Sequence, residues 1–292
     1  MPNTPKYFDE MNGTGSGPRL PYEAYCQWFA GENNARLLQK SEEAEALFRL
    51  IGVTFNVYGD PDATERLIPF DLVPRIIAAR EWALLSKGIE QRVRALNAFL
   101  HDIYHRQEIV RAGRMPAEMI ATNEEFLPQL NAVSHPGDVY SNILWADLVI
   151  TGDDEFFVLE DNARTPSGVS YMLENRETML HMFPELFSKV KVRSVSQYPR
   201  SLRRSLSACA PEACEGRPRL AVLTPGIHNS AYYEHAFLAD QMSAELVEGH
   251  DLRVVDGRVA MRTTQGYKAI DVLYRRVDDE YLDPMNFNPD SM

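Results

Sequence analysis

Two apolar runs, VYSNILWADLVI and EFFVLEDN, separated by TGDD, constrain this chain more than any other feature of its sequence. Each run reads as a β-strand, and the Gly/Asp-rich step between them reads as a hairpin turn. Side chains alternate along a strand, so Glu160 and Asn162 are expected on one face with Val158, while Leu159 and Asp161 take the other. An even-numbered loop would bring Asp147 to the face of Glu160 and Asn162, directly opposite or displaced by one pair. Like charges this close across a strand pair destabilise it unless a cation lies between them. Two carboxylates and a carboxamide oxygen are a donor set that suits Mg²⁺. The plain alternative is a solvated polar face. Beyond Asn162 the segment ARTPSG bends at Pro166 and Gly168, and Arg164, Thr165 and Ser167 offer donors to an anion.

The chain has 292 residues, 45% of them hydrophobic and 25% charged, which suits one large globular domain or two. Its formal charge of −12 argues against nucleic acid as a partner, because such binding rests on a surplus of Lys and Arg. Cys26, Cys209 and Cys214 show neither zinc-site spacing nor a disulfide framework. No basic start precedes an apolar run, and no stretch of eighteen apolar residues occurs, so the sequence predicts a cytoplasmic protein without a membrane partner.

Residues 1–20, rich in Gly, Pro, Asn and Ser, are expected to form a mobile arm. Helix is predicted from 21 to about 50 with Gly52 as its stop, and a strand over VTFNVYG. The strongest helical periodicity runs from 74 to 111, with Gly88 as a potential split. His101 and His105 share a face there, but no third ligand accompanies them, which favours an ordinary structural role. A helix interrupted near Pro184 follows the hairpin. A domain boundary is expected near 215, giving a 21–214 lobe and a 215–292 α/β unit. In that unit RLAVLTPG, NSAYYEHAFLADQM and AELVEG read as strand, helix and strand, hence parallel pairing. DLRVVDGRVAMRT reads as a hairpin turning at Asp256–Gly257, and IDVLYRRVDD as a further strand.

The run ADLVITGDDEFFVLEDNARTPSG resembles the metal-binding strand pair of ATP-grasp carboxylate–amine ligases, with Asp147, Glu160 and Asn162 at the positions of the metal ligands. The hairpin stands at mid-chain, ahead of the βαβ unit that usually opens that fold. This swapped order, with RVRALNAFLHDIYH, LEDNARTPSGVSYMLENR, LTPGIHNSAYYEHAFLADQM and YRRVDDEYLDP, is similar to the circularly permuted ATP-grasp family, often labelled glutathionylspermidine synthase-like. The resemblance implies a mixed α+β and α/β fold: a helical N-terminal part, the ATP-grasp hairpin lobe and a C-terminal βαβ unit of pre-ATP-grasp type. It also implies that the family continues beyond DPMNFNPDSM, into the segment carrying the lysines that hold ATP phosphates, so no residue here is assigned to the nucleotide. Many such ligases carry Arg two positions before the first metal acid, where this chain has Trp145.

The activity so implied is an ATP- and Mg²⁺-dependent ligase joining a small carboxylate to an amine or peptide-like acceptor through an acyl phosphate. Asp147, Glu160 and Asn162 would hold the metal, and Arg164, with Ser167 and the Gly168 amide, would steady the acyl phosphate or substrate carboxylate. Asn229 and Ser230 are candidates for capping the following helix or for binding substrate. Arg275 or Arg276 could meet a substrate carboxylate or form an Arg/Asp cluster with the acids after them. His228 and His235 are expected at the surface without a chemical role. A non-catalytic module that binds nucleotide or peptide in a complex is the alternative. A magnesium-dependent phosphohydrolase is a third reading, for which no water-activating base is evident.

Overall fold

The computed structural model describes residues 7–55, 66–131, 133 and 135–282. It divides into two compact units, residues 77–166 and a discontinuous unit of residues 1–76 and 167–292. The division falls on either side of the hairpin, and the boundary expected near 215 lies inside the discontinuous unit.

The 77–166 unit is built on helix α3 (Ala79–Tyr104), and Gly88 does not split it. A Cβ added at Gly88 would meet nothing within 4 Å, so the helix carries this glycine without a packing reason for it. The C-terminal half of α3 buries Ile103 and Tyr104 with Ile120 of a short helix, Ala117–Ala121. His101 and His105 stack ring on ring at 4.3 Å, and His105 Nδ1 lies 2.9 Å from the His101 carbonyl oxygen. Strands β3 (Trp145–Gly152) and β4 (Glu155–Asn162) form the antiparallel hairpin, closed by the two residues Asp153 and Asp154. Asp154 adopts a left-handed conformation at φ 59°, which Asp tolerates better than most residues. β3 starts later than its apolar run suggests. Residues 139–144 are irregular, and Ser141 there is buried, bonded through its hydroxyl to the carbonyls of Ile143 and Ala163.

In the discontinuous unit, α1 (Glu23–Ala30) and α2 (Asn34–Ile51) fill the region predicted helical. Asn33 caps α2 by accepting from the Arg36 amide at 2.9 Å, and Gly52 ends it in the left-handed conformation at φ 80°. Thr54–Phe55 pairs with Arg66–Leu67, and the rest of the expected VTFNVYG strand lies outside the described residues. α6 (Val169–Met182) and α7 (Pro184–Lys189) meet at Phe183, where Pro184 cannot continue the hydrogen-bond ladder. Phe183 is fully buried with Ala44, Met179 and Met182, and Trp28 packs edge-on against it at 4.9 Å. The expected N-terminal arm is tied down over its described part: Arg75 makes a two-pronged ion pair with Glu10 at 2.7 and 2.8 Å.

After α8 (Tyr198–Ser207) comes the predicted βαβ unit: β5 (Leu220–Leu223), α9 (Tyr232–Met242) and β6 (Glu245–Val247), with β5 and β6 parallel. β10 (Val272–Arg275) adds a parallel strand on the other side of β5, so β5 is central and all four of its residues are buried. β7 (Leu252–Val255) and β8 (Arg258–Thr263) form the expected hairpin. Its turn residues Asp256 and Gly257 both have positive φ, at 51° and 74°, as the tight hairpin turn demands. β9 (Gly266–Ala269), which the sequence reading did not anticipate, extends this sheet.

Gly88→Ala is expected to raise the unfolding free energy by about 0.5–1 kcal/mol, because the substitution removes backbone entropy from the unfolded chain where space is open. Equilibrium urea denaturation checks it.

Candidate functional site

The hairpin register sets Asp147 directly opposite Glu160 and Trp145 opposite Asn162. Asp147, Glu160 and Asn162 therefore share one face, and all three are exposed. The register shifts between Asp147 and Leu148: Leu148 faces Val158, which leaves Leu159 as an extra residue. A bulge of this kind interrupts strand alternation. Val158 thus points to the opposite face from Glu160, not to the same face as simple alternation had suggested. Leu159, 67% exposed, joins Glu160 on the outer side. The continuous apolar run FFVL carries no period of two and so does not mark where alternation breaks.

The other face of the hairpin lies against α3. Leu148, Phe156 and Val158 line a groove of about 510 Å³ with Leu84, Leu85 and Ile89. Asp161 points this way as expected, and Arg92 of α3 holds it, with Nε 2.7 Å from both carboxylate oxygens and Nη2 2.6 Å from one. Arg80, twelve residues earlier on α3, pairs with Asp154 at the turn at 2.6 Å. At 1.5 Å rise per residue these two arginines stand about 18 Å apart, so they grip the two ends of the hairpin. The end bearing Glu160 and Asn162 is fixed further by Asn97. Its Oδ1 accepts from the Tyr140 and Ser141 amides at 2.8 and 3.0 Å, and Ser141 in turn donates to the Ala163 carbonyl at 2.8 Å.

Arg164 leaves β4 exposed and pairs with Glu125 at 2.6 Å. Exposed pairs of this sort are worth about 0–1 kcal/mol, so a ligand anion can compete for the guanidinium. Among the described residues no three His, Cys, Asp or Glu side chains gather as a metal cluster. The hairpin offers two carboxylates, with Asn162 as the third oxygen donor.

The remaining sequence candidates lie in the discontinuous unit. Ser167 is exposed, whereas the Gly168 amide is already engaged, donating to Glu234 at 2.6 Å. Arg275 is exposed and ion-paired with Asp279, which matches the Arg/Asp alternative. Arg276 is buried; its Nη2 lies 3.6 Å from Glu234 Oε1, and its Nη1 donates to the Tyr274 hydroxyl at 3.0 Å. The N-cap of α9 is Ala231, and Asn229 Oδ1 accepts from the Ala231 amide at 2.9 Å in a local Asx turn.

Two residues that the sequence reading passed over belong to this buried cluster. Glu234 is 1% exposed. His235, expected at the surface, is 2% exposed, with Nδ1 2.9 Å from Thr224 Oγ1. Both stand four or three residues before Leu238 and share the buried face of α9 with Ala239 and Met242. That spacing on the apolar stripe was the available signal. Burial, and then the Arg276 charge, push His235 down to about 3. Burial also pushes the nearby Tyr198 up to about 12.

The circularly permuted ATP-grasp type 2 family matches residues 74–292. This chain belongs to that family. An uncharacterized Synechocystis protein is 46% identical over 98% of the chain and 59% of its own length. A Mycobacterium tuberculosis protein, also uncharacterized, is 44% identical over 98% of the chain and 51% of its own. A Frankia casuarinae protein provisionally named glutamate–cysteine ligase is 38% identical over 95% of the chain and 32% of its own length. The chain thus spans about half the length of the first two relatives. Among solved structures, a glutathione synthetase-like effector from Globodera pallida shares the fold, with TM-score 0.51 and 12% identity over 85% of this chain and 59% of that one. The mixed helix and sheet architecture is that of a circularly permuted ATP-grasp protein. Among the described residues, no helix is long and apolar enough to cross a membrane.

Because His235 is held neutral in the fold, the unfolded chain binds a proton below its ordinary pKa of 6.5 while the folded chain does not. Stability contributed by neutral His235 is therefore present above pH 6.5 and falls as pH drops toward 3, by up to about 1.4 kcal/mol per pH unit. Urea denaturation between pH 6.5 and 5, above the range where carboxylates titrate, is expected to show this slope, and His235→Asn to flatten it.

Proposed function

We propose that this chain carries the metal-binding hairpin of an ATP-dependent carboxylate–amine ligase acting on small amino-acid or peptide-like substrates. The observation that carries the reading is the register of Asp147 against Glu160, with Asn162 on the same exposed face. Family membership and the ligase name of the Frankia relative support it.

The donor set fits Mg²⁺: two carboxylates and one neutral oxygen leave room in an octahedral shell for phosphate oxygens and water. Asp147, Glu160 and Asn162 would hold the ion, which when bound neutralises phosphate charge and aligns the transferring group. The same face exposes Leu159 and Phe157, the latter at 58%, which supplies apolar surface beside the charged end. A nucleoside triphosphate has that same division, a flat base and a charged tail. Arg164 can exchange Glu125 for the developing acyl phosphate, where a guanidinium offers paired donors to oxygen anions. In this reaction a substrate carboxylate oxygen bonds to the γ-phosphorus and ADP leaves. The amine then bonds to the acyl carbon, inorganic phosphate leaves, and the amine proton passes to solvent.

The alternative is a module that binds nucleotide or peptide without turnover. Mn²⁺ titration followed by ADP-release assays with small carboxylates and amines separates the two. Binding without ADP release supports the module, and release in the absence of an acceptor supports a hydrolase.

Asp147→Asn and Glu160→Gln are each expected to weaken Mn²⁺ binding about tenfold or more, because each removes a ligand charge. Leu159→Ser should leave the affinity within about twofold, since Leu159 offers the ion no carboxylate. Equal affinity in all three variants would place the ion elsewhere.

A further inference from the structure

Helix α6 begins without a cap of its own. Its N-cap is Gly168, at φ 115°, a backbone conformation that only glycine adopts readily, and glycine has no side chain with which to accept from the first turn. The missing acceptor comes from 66 residues away. Glu234 Oε2 receives the Gly168 amide at 2.6 Å, the Ser170 amide at 3.0 Å and the Ser170 hydroxyl at 3.0 Å. Its other oxygen faces Arg276 Nη2 at 3.6 Å and takes no hydrogen bond among the described residues.

Three segments, the start of α6, the body of α9 and the end of β10, thus meet on one buried carboxylate. A helix N-terminus favours negative charge, and hydrogen bonds to an ionised acceptor are about twice as strong as neutral ones. A buried carboxylate is tolerated only when so paired, so Glu234, Arg276 and the α6 turn hold one another in place. Gly168 lies six positions after Asn162, at the far end of the ARTPSG loop.

We propose that Glu234 is a positioning residue: its carboxylate fixes the Ser167–Gly168 backbone and so anchors the loop that follows the ligand strand. This rests on the ligase reading for its catalytic consequence, and on the contacts of Glu234 alone for the anchoring. Glu234 touches no substrate in this scheme. It acts through the two amides and the Ser170 hydroxyl.

Hydrogen exchange on the whole chain tests the anchoring. Glu234→Gln keeps the shape and removes the charge, and the amides of residues 167–172 are expected to exchange about tenfold faster, with β5 and β6 at wild-type rates. In the same variant Mn²⁺ affinity should stay within about twofold of wild type, while kcat for ADP release falls about tenfold at unchanged KM for ATP. Faster exchange spread over the whole discontinuous unit, or none at 167–172, would overturn the proposal. So would a fall in kcat/KM arising from KM alone. Should the variant fail to fold because Arg276 is left uncompensated, Glu234→Gln combined with Arg276→Gln removes both charges, and the same local acceleration decides. A wild-type chain that neither binds Mn²⁺ nor releases ADP sinks the ligase reading, and the exchange result still decides on the anchoring.

Discussion

Asp147 and Glu160 face each other across an antiparallel pair, and that juxtaposition of like charges governs how the hairpin must be built. Nothing in the strand pair itself favours it, since directly opposed acids repel. The register is held instead from the opposite face, by apolar packing of Leu148, Phe156 and Val158 near α3 and by the Arg92 and Arg80 ion pairs. The scaffold holds fixed the unfavourable approach of two carboxylates, and under the proposed function that approach would ready the face for an ion.

A second electrostatic arrangement works by the opposite logic. Around Glu234 the charges are complementary and hidden from water, with Arg276 on one oxygen and the α6 turn on the other. One cluster is exposed with like charges side by side, the other buried with opposite charges matched. The first is open to a ligand, whereas the second is matched in charge and closed to water.

Much of this was legible in the sequence because it is local. The Asp256–Gly257 turn, the Gly52 stop, the βαβ order and the pairing of Asp147 with Glu160 each follow from residues within one or two elements. The family's own motifs then identified the strand pair. What escaped was set by tertiary partners. Gly88 reads as a potential breaker, yet the long periodic pattern on either side carries α3 through it. The face of Val158 departs from simple alternation because one extra residue cancels it. His235 and Glu234 look like polar residues of an amphipathic helix, and their partners Thr224, Ser170 and Arg276, which lie on other elements, explain why they are buried. Asn229 offered a capping residue, but it stands two residues before the N-cap Ala231 and closes an Asx turn there instead.

The bulge at Leu159 separates two jobs along one short strand. Before it, β4 contributes side chains to the packing against α3; after it, the same strand presents Glu160 and Asn162 outward while Asp161 still reaches Arg92. Removing that single leucine would restore even pairing and leave Glu160 outward opposite Asp147, since Val158 and Glu160 would then alternate. The extra leucine therefore adds exposed apolar surface beside Glu160 without deciding which way the acid faces.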